Sequence, residues 1–151
     1  MENEDLSGGC GCGAVRYRLK AGERLPMYAC HCTDCQTRTG SAFSEHMLVE
    51  VSDLEVSGPL ATGTLTQPSG AVSTVYGCER CLARIYATLD RLDSFASLRC
   101  GTLDSSAALS PVAHLWTSSM QPWITLPADA RSHETQPDTD EGWISFLTGA
   151  R

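Results

Sequence analysis

A chain of 151 residues with 42% hydrophobic and 19% charged side chains has the balance of one folded domain with a modest core, not of a disordered segment. Lys plus Arg number 11 against 18 Asp plus Glu, a formal charge of −7. With no basic run, the electrostatic footprint of a nucleic-acid binder is missing, and an anionic membrane surface is disfavoured for the same reason.

The chain opens on Met1-Glu2-Asn3-Glu4-Asp5, acidic and without an apolar stretch behind it, so it does not read as a secretory signal. No window reaches the apolar length of a transmembrane helix. Eight cysteines in such a chain point to a reducing compartment and to metal ligation rather than disulfides, and the cytoplasm is the expected location.

Gly8-Gly9-Cys10-Gly11-Cys12-Gly13 follows, where glycines allow tight folding and two thiols at i, i+2 can face one side. Alternation from Ala14 to Leu19 predicts a half-buried strand, and Gly22 and Pro26 bracket a turn. Pro26 to Ala29 leads, extended, into Cys30-His31-Cys32-Thr33-Asp34-Cys35. One or two helical turns are expected from Thr33 to Gly40, with Thr33 as the cap and Gly40 as the stop. Strands are predicted at Phe43–Val51 and Leu54–Val56, with Ser52-Asp53 as a turn. Leu60–Thr66 and Ala71–Tyr76 form an expected hairpin around Gln67-Pro68-Ser69-Gly70. Further strands are expected at Ala83–Leu89, Phe95–Cys100 and Val112–Thr117. The polar stretch from Pro127 to Asp140 reads as loop, after which Trp143, Ile144, Phe146 and Leu147 can dock a short terminal helix. Many short strands separated by regular turn signals predict an all-β architecture with little helix.

The chemistry lies in the thiols. Cys78-Glu79-Arg80-Cys81 has knuckle spacing, with both sulfurs on one turn, but a tetrahedral metal needs a second pair. Cys10 with Cys12, or Cys30 with Cys32, can supply it. The second choice would leave Cys35 on the same turn without a role. The first choice gives a closed four-thiolate site and keeps Cys30, Cys32 and Cys35 as a second, three-thiolate site. Zinc held by three thiolates is a weak activator of water but suits an incoming thiol, whose sulfur it can hold as a thiolate. Cys100 and His31 are the candidates for a fourth protein ligand, which would make the second site structural as well. His46, His114 and His133 read as partly buried or surface histidines. Trp116 and Trp123 read as core or pocket-wall residues, Asp104 as a turn former and Asp34 as an exposed capping residue.

These motifs resemble the glutathione-dependent formaldehyde-activating enzyme family, which includes the centromere protein V branch. The resemblance rests on the segments Gly9–Tyr17, Cys30–Gln36, Thr39–Phe43, Cys78–Cys81 and Gly101–Asp104, with His114-Leu115-Trp116 and Pro122-Trp123. It implies a single zinc-binding domain over residues 1–151, with a β-tent-like core at about 8–126 and a polar tail at 127–151. It also implies a structural zinc on Cys10, Cys12, Cys78 and Cys81 and a catalytic zinc on Cys30, Cys32 and Cys35. The implied reaction joins glutathione and formaldehyde as S-hydroxymethylglutathione, formally a carbon–sulfur lyase in reverse. The alternative is a non-catalytic zinc-stabilised module that binds glutathione or a protein. Gly77 stands where an aromatic is expected, Leu82 where a glycine is, and Cys100 where an apolar residue is. None of the three removes a ligand.

Overall fold

The computed structural model describes residues 4–22, 24–67 and 70–150. Met1, Glu2 and Asn3 of the acidic lead, and Pro68 and Ser69 of the expected hairpin turn, lie outside the described residues. In chain order the strands are β1 (Leu6–Gly9), β2 (Arg16–Leu19), β3 (Tyr28–Cys30), β4 (Ser44–Glu50), β5 (Leu54–Ser57), β6 (Leu60–Thr66), β7 (Val72–Cys78), β8 (Arg84–Leu89), β9 (Phe95–Arg99), β10 (Ala113–Leu115) and β11 (Arg131–Ser132). Helix α1 spans Thr33–Thr39 and α2 spans Asp140–Thr148. The all-β expectation therefore holds, with two short α-helices set among eleven strands in the described residues.

The chain divides into two compact units, one made of Met1–Arg24 with Leu48–Ala108 and the other of Leu25–Met47 with Leu109–Arg151. In the first unit β1, β2 and β5 form an antiparallel sheet, and β6 to β9 form an antiparallel meander. The alternation read from Ala14 to Leu19 has the expected consequence, with Tyr17 and Leu19 buried while Arg16 and Arg18 face outward. Val15, Leu19, Ile85, Leu98 and Cys100 are among its fully buried side chains. Gly8 is required by close approach, because a Cβ there would strike the Tyr17 ring and the Thr102 carbonyl. The Tyr17 hydroxyl meets Thr102 Oγ1 at 2.9 Å.

In the second unit the strand order is β11-β10-β3-β4. Strand β3 runs parallel to β10 and antiparallel to β4, and all three of its residues are buried, as befits a central strand. The terminal helix forms where expected, capped by Thr139 Oγ1 on the Gly142 N–H at 3.0 Å. Leu147 is fully buried and Trp143 packs edge-on to Tyr28, but Ile144 lies on the exposed face. The stretch expected to be loop between Pro127 and Asp140 contains β11, whose two residues pair with Ala113 and His114. Two residues are too few to carry a readable alternation.

Candidate functional site

Two loops of the first unit bring four thiols together. The turn between β1 and β2 folds back through Gly13 N–H to Cys10 C=O at 3.2 Å, with Gly13 at φ 79°. The turn after β7 is fastened by Leu82 N–H to Cys78 C=O and Cys78 N–H to Ala83 C=O, both 2.9 Å. Cys10, Cys12, Cys78 and Cys81 then lie with all sulfurs within 4.8 Å of one another. Measured separations are 3.5 Å for Cys10–Cys12 and 3.8 Å for Cys12–Cys78. A tetrahedron of sulfurs about 2.3 Å from zinc has edges of about 3.8 Å, so the donor set fits that ion. Cys10 Sγ also accepts the Val15 N–H at 3.2 Å.

The second unit holds the other group. Cys30 ends β3, Cys32 precedes α1, and Cys35 is the buried residue of α1's first turn. Their three sulfurs also lie within 4.8 Å of one another. Helix α1 is capped by Cys32, not by Thr33: its sulfur accepts the Cys35 N–H at 3.3 Å while its backbone stays extended. Helix α1 stops at Gly40, whose φ of 66° places its N–H on Gln36 C=O at 2.9 Å. Asp34 is exposed in the first turn and complements the helix dipole. Among the described residues no fourth side chain joins this trio. Cys100 is fully buried in the first unit with its thiol toward Leu98 C=O at 3.9 Å, and belongs to neither group.

The peptide between Cys30 and Cys32 is held on every side. His31 N–H donates to Leu115 C=O at 2.9 Å, and His31 C=O accepts from Gln36 Nε2 at 2.9 Å and Ser119 Oγ at 3.0 Å. Gln36 is itself fixed by Gln121 Nε2 on its Oε1 at 2.7 Å. The His31 ring points to His114, with Nε2 and Nδ1 2.9 Å apart. His31 Nδ1 and His114 Nε2 are buried with no hydrogen-bond partner among the described residues. Burial, and for His31 also the neighbouring His114, pulls both imidazoles below their ordinary range, His31 to about 4. His31 is thus an anchor for the thiol turn rather than a member of the trio. Sequence reasoning missed this pairing, which joins residues 83 apart in the chain. It also missed His46, which is buried with Nε2 3.7 Å from Cys35 Sγ. The expectation for Trp123 is corrected, since that side chain is 73% exposed. Trp116 is half-buried and adopts a left-handed φ of 58°, opening the 3₁₀ turn that delivers Ser119 to His31.

Thiols packed this closely cannot all ionise by themselves. Hydrogen bonds from Cys30 and then Cys35, aided by the Cys35 and Asp34 N–H groups, pull Cys32 far below the ordinary thiol range. Contacts with Cys32 and Cys35, then burial, push Cys30 far above it. In the four-thiol group the Val15 N–H draws Cys10 down to about 6. Cys12, with the Ala14 N–H acting against the change, is pushed up to about 11 by Cys10, its other thiol neighbours and burial. A soft divalent cation removes the conflict by stabilising every thiolate at once. All eight cysteines are free of disulfides, which leaves both donor sets intact.

Fold and thiol groups together define an all-β protein with two cysteine clusters that could hold metal ions. The chain belongs to the glutathione-dependent formaldehyde-activating enzyme family, whose profile matches residues 5–119. It is 25% identical over 130 residues to a Halomonas elongata protein named "Putative glutathione-dependent formaldehyde-activating enzyme", a match covering 80% of each chain. A crystal structure of a Rhodobacter sphaeroides protein matches the fold with a TM-score of 0.50 at 18% identity, over 65% of this chain and 87% of that one. No helix among the described residues is long and apolar enough to cross a membrane.

Proposed function

We propose that this protein is a zinc-dependent carbon–sulfur lyase or synthase acting on adducts of glutathione with a small aldehyde, of which S-hydroxymethylglutathione is the type. In this reading Cys10, Cys12, Cys78 and Cys81 hold a structural zinc, and Cys30, Cys32 and Cys35 hold a second zinc used in catalysis. The observation that carries it is the second group: three sulfurs within 4.8 Å, joined by no fourth donor among the described residues. A zinc ion there would supply one soft Lewis-acid position for an outside sulfur.

The chain's own residues set the preference for that guest. Three thiolates more than balance a divalent charge, which disfavours water activation and leaves thiols as the better partners. The clamp of Gln36, Ser119 and His114 on His31 keeps Cys30 and Cys32 at fixed spacing, so little reorganisation is needed when a substrate arrives. In the condensation the glutathione thiol loses its proton, and a sulfur lone pair forms the bond to the aldehyde carbon. The carbonyl π pair moves to oxygen, which takes up a proton. The reverse steps release both molecules.

The test is exchange NMR on the zinc-loaded protein with glutathione and formaldehyde. Adduct formation and breakdown should run faster than the uncatalysed background, and Cys32→Ser should return them to it. Equal rates with and without the wild-type protein, for formaldehyde and other small aldehydes alike, would contradict the enzymatic reading.

A further inference from the structure

His46 plays no part in the proposed chemistry so far, yet this buried imidazole reaches within 3.7 Å of a sulfur of the trio. It lies on β4 directly opposite Tyr28 of β3, so the strand register fixes its position. The two rings stack with centroids 5.3 Å apart and planes 17° from parallel. Tyr28 is backed in turn by the edge of Trp143 from α2, at 5.4 Å and 64°. This leaves His46 little rotational freedom and holds its Nε2 3.7 Å from Cys35 Sγ, within hydrogen-bond range for sulfur. Among the described residues no imidazole belongs to the set in which every donor atom lies within 4.8 Å of the others. His46 is therefore placed as a neighbour of Cys35 rather than as a fourth ligand.

We propose that His46 is a positioning residue for the three-thiol metal centre, donating its Nε2–H to the Cys35 sulfur and drawing charge off that ligand. The inference rests on the proposed metal centre and adds a residue to it. A thiolate bound to metal keeps lone pairs that can accept a hydrogen bond. Such a bond orients the ligand and favours its thiolate over its thiol form, which supports metal affinity. It also draws charge off the sulfur and makes the metal a better acceptor for an incoming sulfur. Cys32 already receives the Cys35 N–H, so two of the three sulfurs would carry donors. The arrangement offsets part of the surplus negative charge without closing the fourth position.

The test uses the full chain loaded with cadmium-113 and labelled with nitrogen-15 at histidine. The four-thiol and three-thiol groups should give separate cadmium signals. The expected result is a coupling from the His46 Nε2 proton to the three-thiol cadmium, carried through the hydrogen bond. His46→Phe preserves stacking on Tyr28 and should abolish the coupling, with metal affinity at that centre falling roughly 10–100-fold. In the cobalt-loaded His46→Phe protein the sulfur-to-metal charge-transfer band should move to lower energy. His46→Gln, which keeps an N–H donor, should restore the affinity and the band position. Direct nitrogen–cadmium coupling with no Nε2 proton would overturn the proposal by making His46 a ligand. A second cadmium signal without proton coupling, or wild-type affinity in His46→Phe, would overturn the His46 assignment alone. Absence of the second cadmium signal would overturn the metal centre beneath it.

Discussion

The two thiol groups use the same side chain and differ in what the chain builds around them. The four-thiol group joins two turns, one after β1 and one after β7, across 66 residues of sequence. The three-thiol group comes from one short segment, with its peptide clamped by Gln36, Ser119 and His114 and its helix capped by one of its own thiols. The first arrangement places its sulfurs by joining distant segments, so in the proposed reading a metal there would stabilise the fold. The second is held in shape by hydrogen bonds of its own and supplies one donor fewer than a tetrahedral ion takes. In the proposed reading a metal there would be free to serve chemistry.

Removing one sulfur from each group is the strongest way to break this contrast. Structural zinc contributes about 10–16 kcal/mol, against a net domain stability of about 5–15. Cys78→Ser should therefore abolish cooperative thermal unfolding by circular dichroism and sharply lower soluble yield. Cys32→Ser should instead leave a folded protein, because serine is also a good cap for α1, while that centre loses its metal. Cys32→Ala, which removes the cap as well, should cost about 1 kcal/mol more than Cys32→Ser in denaturant unfolding. If both groups respond alike, the division of labour fails.

A second probe concerns the first unit alone. Burial pushes the Tyr17 phenol up to about 12, above the ordinary tyrosine value of about 10. Its folded pKa is raised, so its contribution is complete below pH 10 and is lost as pH rises toward 12. The loss should reach roughly 2–3 kcal/mol in denaturant titrations across that window. Tyr17→Phe should flatten this alkaline limb.

Smaller effects belong to the residues that close the two turns. Gly40 sits at φ 66° with open space around its Cα, so Gly40→Ala should cost about 1–2 kcal/mol through backbone strain alone. Leu82, beside Cys81, has φ 60° and is 76% exposed. Leu82→Gly should relieve that strain and stabilise by less than about 1 kcal/mol, because glycine also enlarges the unfolded ensemble. Thermal melts of the two variants should move in opposite directions.

Cysteine spacing made both groups legible in the sequence, because C-x-C and C-x-x-C place sulfurs on one turn by local geometry. The strands were legible where alternation ran four residues or more, as at Arg16–Leu19. Contacts that depend on register were not. His46 reaches Cys35 only because β4 pairs with β3 at Tyr28, and His114 reaches His31 because β10 lies beside β3. A histidine within a strand gives no sign of which neighbour it will face. The cap at Cys32 was hidden for another reason. Capping rules favour oxygen acceptors, and Thr33 offered one, while a thiol can do the same work. The left-handed Trp116 escaped notice because a bulky side chain at that φ is disfavoured and no local pattern announces it.

The central claim is that an outside thiol completes the three-thiol centre and leaves the four-thiol centre alone. Titrating glutathione into the cobalt-loaded protein, with Cys32→Ser as reference, tests it most directly. The account predicts two metals per chain and a saturable change in the absorption assigned to the Cys32-dependent centre. A single metal per chain, or a spectrum unmoved by glutathione, would contradict it.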